Sequence, residues 1–427
     1  MPGAGDHSSV RSRMTPGSRE SDSVVIVGAS AAGLAAADGL REGGFEGSII
    51  VLGSELHHPY DRPTLSKGLL LEQGDPQLLE LRSAERIRDN RIDLRLGRKA
   101  VGLDIDRKYV ITNNGEALPW DAVVLACGGR PRQLITVEGE VLPALRTPDD
   151  LRDLRQAAAR YGEVTVVGAG LIGLEIAAGL CAHGIAVTVL HDTERPMDGI
   201  VGPELGQTIS DLHSKHGVQL KMSSAVQFVT GGRGAYTLHL ANGSTHQAPY
   251  VVTGIGVEPD VDWLLDSGVA LDRGVLTDAA GSTNVPGVWA AGDVARSVHP
   301  LFGEPLRIEH WTHAVEKGRH VGLNISRGTT APFCGVPYFW SDQYGRRFHC
   351  YGRRGMGDAI FVAEGALTDD EFLVLFGRDG EFHCVFACGL SRSLRDYRKL
   401  LARGGTWDEA LDLARKLKPD MVCAVPR

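Results

Sequence analysis

Val24–Leu40 reads VVIVGASAAGLAAADGL, and Val164–Leu180 reads VTVVGAGLIGLEIAAGL. Each opens on a short β-branched run of the kind that makes a buried strand, turns on glycine, and continues into an Ala- and Leu-rich stretch of helical character. A G-x-G-x-x-G turn between strand and helix aims backbone N–H groups and the positive end of the helix at a pyrophosphate. The second segment has the full pattern at Gly168, Gly170 and Gly173, with Leu171 and Ile172 between them. The first has Gly28, Ser30 and Gly33, with Ala31 and Ala32 between. Serine is the smallest replacement that keeps a donor, and its hydroxyl is itself able to bind phosphate. One such turn is weak evidence, but two in strand–turn–helix context are strong. They predict two dinucleotide sites and hydride passing between a nicotinamide and a flavin. Glycine-rich packing without a ligand is the blander alternative.

Outward from these turns the chain reads as α/β. A helix over Ala31–Arg41 is broken by GGFEG and followed by the strand SIIVL, a βαβ unit. HHPYDRPTLSKGLL, with two prolines, is a loop entering a helix. A meander then leads to a buried strand at Ala122–Ala126. The second unit repeats the plan, with its closing strand at Ala186–Leu190, and a second meander precedes GVWAAGDVA. After Gly328 the texture changes to aromatic-rich strands and terminal helices, a separate α+β module.

A chain of 427 residues implies two or three domains. Its net charge of −8 argues against a nucleic-acid partner. Residues 329–427 carry 14 basic and 13 acidic residues, leaving room there for a locally basic surface facing an acidic partner. The seven cysteines include no C-x-x-C, which fits buried thiols in a reducing compartment and a cytoplasmic protein. No apolar run reaches membrane-spanning length. Residues 1–22 lack the apolar core of a secretory signal and read as a disordered tail, with a transit peptide as the weaker alternative.

GASAAGLAAADGL, PYDRPTLSK, VTVVGAGLIGLEIAAGL, GIGVEP, VWAAGDVA, EHWTHA and PYFWSDQYG occur in this order. Together they resemble the FAD-dependent ferredoxin reductases that serve oxygenases and P450s, glutathione-reductase-like flavoproteins related to apoptosis-inducing factor. The resemblance spans residues 22–405, and PYDRPTLSK and FWSDQY are its specific parts. It implies two Rossmann-like domains plus the C-terminal module: FAD-binding over 23–130 and, resuming near Tyr250, 250–328; NAD(P)H-binding over 131–249; and an α+β domain over 329–427. It places Arg62 and Lys67 near the flavin, with Lys67 beside N5, where a cation stabilises the electron-rich reduced ring. It places Glu175 beside the nicotinamide and pairs it with Lys67. Asp293 is similar to the residue that binds the ribityl chain, and read alone it is a helix N-cap. Trp311 occupies the flavin edge facing the acceptor. Ala126, Arg130, Glu309 and His310 complete the implied FAD set, and Gly254, Ile255 and Gly256 the implied nicotinamide set. The aromatics Trp340 and Tyr344 of FWSDQYG are read chiefly as packing.

An acid after the second strand usually binds the adenosine ribose. The first unit has Ser54 and then Glu55, and Glu55 is the candidate. The second has His191 and Asp192. A protonated His191 favours a 2′-phosphate, Asp192 repels it, and Arg195 decides neither way, so the balance leans to NADH with NADPH as the alternative. Cys127 reads as a small buried residue, since nothing in the sequence activates it. His310 with His313, and Cys384 with Cys388, lack the further ligands a metal needs.

The reading is therefore an NAD(P)H:ferredoxin oxidoreductase, with FAD and NADH as cofactors and an iron–sulfur ferredoxin as partner. Arg346, Arg347, Arg353 and Arg354 in GRRFHCYGRRG form a candidate basic patch. A disulfide reductase or a single-cysteine peroxidase is disfavoured, because PYDRPTLSK stands where the redox cysteine belongs. A donor to rubredoxin, or a redox-sensing scaffold like apoptosis-inducing factor, is the alternative.

Overall fold

The computed structural model describes residues 22–418 apart from Gln73 and Ser391; the segment read as a tail lies outside it except for Asp22. The first glycine turn follows the strand Ser23–Val27 and opens the helix Ala31–Glu42. That strand is central in a five-stranded sheet, paired in parallel with Ser48–Gly53 on one side and Ala122–Leu125 on the other. Ile92–Leu96 and the late strand Val288–Ala290 form its edges. All four Val24–Val27 residues are buried, as continuous apolar runs are when helices or strands cover both sheet faces.

The second turn lies between Glu163–Val167 and the helix Leu171–Ala182, in a four-stranded parallel sheet with Ala186–Leu190, Gln219–Lys221 and Val251–Thr253. This last pairing corrects the return to the first unit expected near Tyr250. Val251–Thr253 extends the second sheet, and the chain crosses back only after it, where Val257–Pro259 pairs antiparallel with Gly129–Pro131. The helix expected to be capped by Asp293 is also absent: Asp293 sits inside a short 3-10 turn, Gly292–Val294, and a long helix begins only at Trp311.

Residues 338–388 form a five-stranded antiparallel sheet in the order Tyr338–Gln343, Arg346–Gly352, Glu381–Cys388, Phe372–Arg378, Ala359–Glu364. Its two-residue period separates two apolar faces. Leu373, Leu375, Val385 and Ala387 pack on the helices Leu394–Ala402 and Trp407–Leu417. Phe348, Val374, Phe376 and Phe386 join the core that also holds Leu174 of the second unit and Leu65 of the PYDRPTLSK segment. The module is thus welded across the meeting of the two units. Among the described residues no helix is long and apolar enough to cross a membrane.

Candidate active site

The two turns are built alike. Gly28 and Gly168 have φ of +121° and +110°, and a Cβ there would stand 2.1 and 2.4 Å from the carbonyls of Ala126 and Gly254. At Gly33 and Gly173 a Cβ would stand 1.8 and 2.0 Å from the carbonyls of Gly28 and Gly168. These four positions exclude a side chain on internal grounds. The middle position does not: the nearest atom to a Cβ on Gly170 is 4.0 Å away, and Ser30 and Gly170 both have extended backbones. Glycine at that position is therefore a matter of ligand approach, and a serine is accommodated. The Ser30 hydroxyl makes no capping bond to its helix, and Ser30 lines the cleft.

One cleft of about 310 Å3 runs from the first turn to the second helix. It is lined by Gly28, Ser30, Ala31, Ala32, Ser54, Glu55, Arg62, Lys67, Ala126, Asp293, Glu309, His310 and Trp311, and also by Leu171, Ile172 and Glu175 from the second unit. A glycine cradle at a helix N-terminus, with donors further along, fits a dinucleotide. The buried Trp311 Nε1 and His310 Nδ1 have no protein partner, which leaves polar atoms for a ligand to satisfy. Cys127 is the one thiol in this lining; burial pushes it up to about 12, so it is no thiolate nucleophile. Arg130 does not line the cleft but is engaged by Glu258, Asp260 and Asp262.

Near the middle of the cleft, Pro63 starts a 3-10 turn over Arg62–Ser66 that delivers Ser66 and Lys67 to Glu175. Lys67 Nζ and Ser66 Oγ donate to Glu175 Oε2 at 2.8 and 2.5 Å, and Ser341 Oγ donates to Oε1 at 2.7 Å. Glu175 is only 3% exposed, although it stands near the start of a helix where a glutamate is ordinarily solvated. Its burial is tolerated because both oxygens accept charge-assisted or hydroxyl bonds, each worth about 1.5–3 kcal/mol when a charged group takes part. Lys67 Nζ also lies 5.5 Å from the Trp340 ring, which meets Trp311 edge to face at 6.2 Å. Trp340 is therefore a wall of the cleft as well as packing.

At the first unit's outer end Glu55 accepts from Tyr60 OH at 2.8 Å and from Arg62 at 2.6 Å. Arg62 also donates to the Arg146 carbonyl. Asp293 is held between opposing influences. Burial raises its carboxyl, and Arg146, Arg307 and Arg62 pull it back. Tyr60, Ser66, Arg146 and Ser341 escaped the sequence reading. Ser341 had a signal, because it shares with Phe339 the inward face of a two-residue repeat.

In the second unit Gly254 packs against Gly173, Ile255 packs into the core beside Val167, and Gly256 has φ +96°. His191 Nδ1 accepts from the Ala169 N–H of the glycine turn at 3.3 Å, and burial lowers the imidazole below its usual range. Asp192 Oδ1 lies 3.2 Å from the same nitrogen, and Arg195 pairs with Glu194. His313 is buried and His310 half-buried, and desolvation lowers both. Cys384 faces Cys350, Sγ to Sγ at 3.4 Å, across the C-terminal sheet. The arginine patch dissolves into local pairs. Arg346 joins Asp370, Arg347 joins Asp342, Arg353 joins Glu304, and Arg354 packs over Phe376. None of the four lines the cleft.

Residues 22–318 match the pyridine nucleotide-disulphide oxidoreductase family, and residues 338–419 match the reductase C-terminal family. Among characterised proteins, the ferredoxin–NAD(+) reductase component of the 3-phenylpropionate/cinnamic acid dioxygenase of Photorhabdus laumondii is 33% identical, over 88% of this chain and 95% of its own. Putidaredoxin reductase of Pseudomonas putida is 32% identical, over 83% and 86%. The crystal structure of the ferredoxin reductase for the CYP199A2 system of Rhodopseudomonas palustris superposes with a TM-score of 0.86 at 30% identity, covering 90% of this chain and 95% of that one. Gly168, Gly170 and Gly173 do not line the cleft, which the second unit reaches only through Leu171, Ile172 and Glu175. With the family match spanning both glycine turns, the chain belongs to the pyridine nucleotide-disulphide oxidoreductase family and ends in a reductase C-terminal module.

Proposed function

We propose that this protein is an FAD-dependent NAD(P)H:ferredoxin oxidoreductase serving a P450 or another oxygenase. The observation that carries the reading is the buried Lys67–Glu175 pair, standing in a cleft lined by the first glycine turn and by Leu171, Ile172 and Glu175 of the second unit. The ferredoxin-reductase names of the similar proteins support the class of acceptor. In this reading the Gly28–Gly33 turn, with Ser30, holds the FAD pyrophosphate, and the Gly168–Gly173 turn holds the nucleotide donor. When bound, the flavin ring takes up an electron pair as hydride and gives it out as single electrons, which a nicotinamide does not do. Lys67 presents a fixed positive charge where the ring becomes electron-rich, and Glu175 holds that ammonium in place. Trp311 and Trp340 wall the cleft beside this pair.

NADH is the favoured donor. Burial lowers the His191 imidazole below its ordinary range, which favours the neutral form at pH 7. A neutral imidazole beside Asp192 has no charge to offer a 2′-phosphate. The domain division that goes with this reading assigns the crossing strands Gly129–Pro131 and Val257–Pro259 to the joint between the two units. The test is NADH-driven reduction of cytochrome c by the flavin-loaded enzyme. Rapid reduction that depends on an added [2Fe–2S] ferredoxin is the expected result. Slow reduction, or equal reduction without ferredoxin, would turn the assignment toward a redox-sensing binding protein.

A further inference from the structure

A buried polar chain leaves the Lys67–Glu175 pair and runs away from the cleft. Ser341 Oγ donates to Glu175 Oε1 at 2.7 Å, and Gln343 Nε2 donates to Ser341 Oγ at 3.0 Å. Gln343 Oε1 lies 2.8 Å from His213 Nε2, and Tyr344 OH lies 3.0 Å from His213 Nδ1. His213 comes from the helix Pro203–Lys215 of the second unit, and Ser341 and Gln343 come from the C-terminal sheet. His213, Gln343 and Ser341 are 0–1% exposed, so no solvent shares the bonds among these three.

The direction of the whole chain follows from its charged end. An ionised carboxylate only accepts. The single proton of Ser341 must then point at Glu175, so Ser341 accepts from the amide nitrogen of Gln343. The Gln343 carbonyl is left facing His213, which must donate through Nε2–H. His213 Nδ1, having no proton, accepts from Tyr344 OH. Burial pushes the imidazole down to about 4, which keeps it neutral. His216, stacked 3.8 Å from the Tyr344 ring, and the Cys181 thiol are the other titratable groups at that end.

A glutamate carboxyl turns freely about its last torsion, a broad and shallow one. Ser66 and Lys67 hold only Oε2. The other oxygen is fixed by Ser341, whose proton is aimed by the chain behind it. Aligned hydrogen bonds also polarise one another. We propose that His213 is a positioning residue: through Gln343 and Ser341 it locks the Glu175 carboxylate and so fixes where the Lys67 ammonium stands. This rests on the reading of that pair as the hydride-transfer site.

The experiment uses the full-length, flavin-loaded enzyme with two readouts. One is the limiting rate of flavin reduction by NADH together with the NADH Kd; the other is the 15N shifts of the His213 ring. The wild type should show one tautomer, protonated at Nε2 and accepting at Nδ1. Ser341→Ala, two links away, should turn this into a mixture. His213→Leu should slow limiting reduction about tenfold while NADH Kd moves less than about twofold. His213→Gln, which keeps a donor for Gln343, should restore most of the rate. If His213→Leu does not fold, Ser341→Ala carries the same rate expectation. If Glu175→Gln slows reduction but Ser341→Ala and His213→Leu leave the rate unchanged and Ser341→Ala leaves the His213 tautomer unchanged, the positioning role is overturned and the hydride-transfer reading stands. If Glu175→Gln leaves reduction unchanged, the reading of the pair falls, and this proposal with it.

Discussion

Gly318 lies against Ala32 so closely that a Cβ built on it would stand 2.2 Å from the Ala32 carbonyl oxygen. Gly322 meets the Ala36 carbonyl at 2.1 Å in the same way, and Gly39 meets that of Arg319 at 2.2 Å. Two helices are thereby joined backbone to backbone: Ala31–Glu42, which opens at the first turn, and Trp311–Arg327, which opens at Trp311. Side chains at this seam would push Trp311 away from the phosphate cradle.

Gly322→Val should therefore destabilise the protein by about 1–3 kcal/mol or more, the usual cost of overpacking a closed core. The denaturation midpoint measures it. FAD should also be lost on gel filtration. Full retention of flavin with an unmoved midpoint would show that the helices separate without consequence.

Removing the charge at Lys67 separates catalysis from binding. Lys67→Ala should lower the stopped-flow rate of flavin reduction by roughly 10–100-fold while NADH binding weakens much less. It also leaves Glu175 buried without its cation, a loss of about 3 kcal/mol in stability. An unchanged reduction rate would sink the role assigned to this lysine.

How much of this was legible beforehand depended on whether a feature is local. The turns were readable because a positive φ and a close carbonyl leave only glycine at Gly28 and Gly168. The Lys67–Glu175 contact joins residues 108 positions apart, and only the resemblance suggested it. Ser341 and Gln343 looked like ordinary polar residues in an aromatic strand. Their inward direction depends on register, and their partners lie on distant helices. The arginines of GRRFHCYGRRG misled because charge counted along a sequence ignores the acids that folding brings beside them.

Nucleotide choice should respond to position 191. His191→Glu should raise the NADH over NADPH ratio of kcat/KM by about tenfold, through repulsion of the 2′-phosphate. In the unaltered enzyme NADPH use should improve only as the pH falls below the ordinary imidazole range, since burial lowers the His191 imidazole. Steady-state kinetics with both donors checks each point. A ratio that does not move with substitution or pH would place the ribose away from His191.

Stability should fall on mild acidification. The His213 imidazole is pushed down to about 4 in the fold, against 6.5 as its ordinary value. Between these values the unfolded chain binds the extra proton, so the fold loses stability as the pH drops from 6.5 towards 4. Calorimetry should show Tm falling across this window in the wild type, and less steeply in His213→Gln. Parallel slopes for the two proteins would assign the acid sensitivity to other groups.

The inner face of the C-terminal sheet reaches Glu175 through Ser341, so this module is not a detachable cover. A chain truncated after residue 328 would keep both cradles and the lysine, yet would open to water the carboxylate that steadies it. Nucleotide affinity and reductive competence would then come apart, because the last hundred residues hold in place a charge that they do not themselves carry.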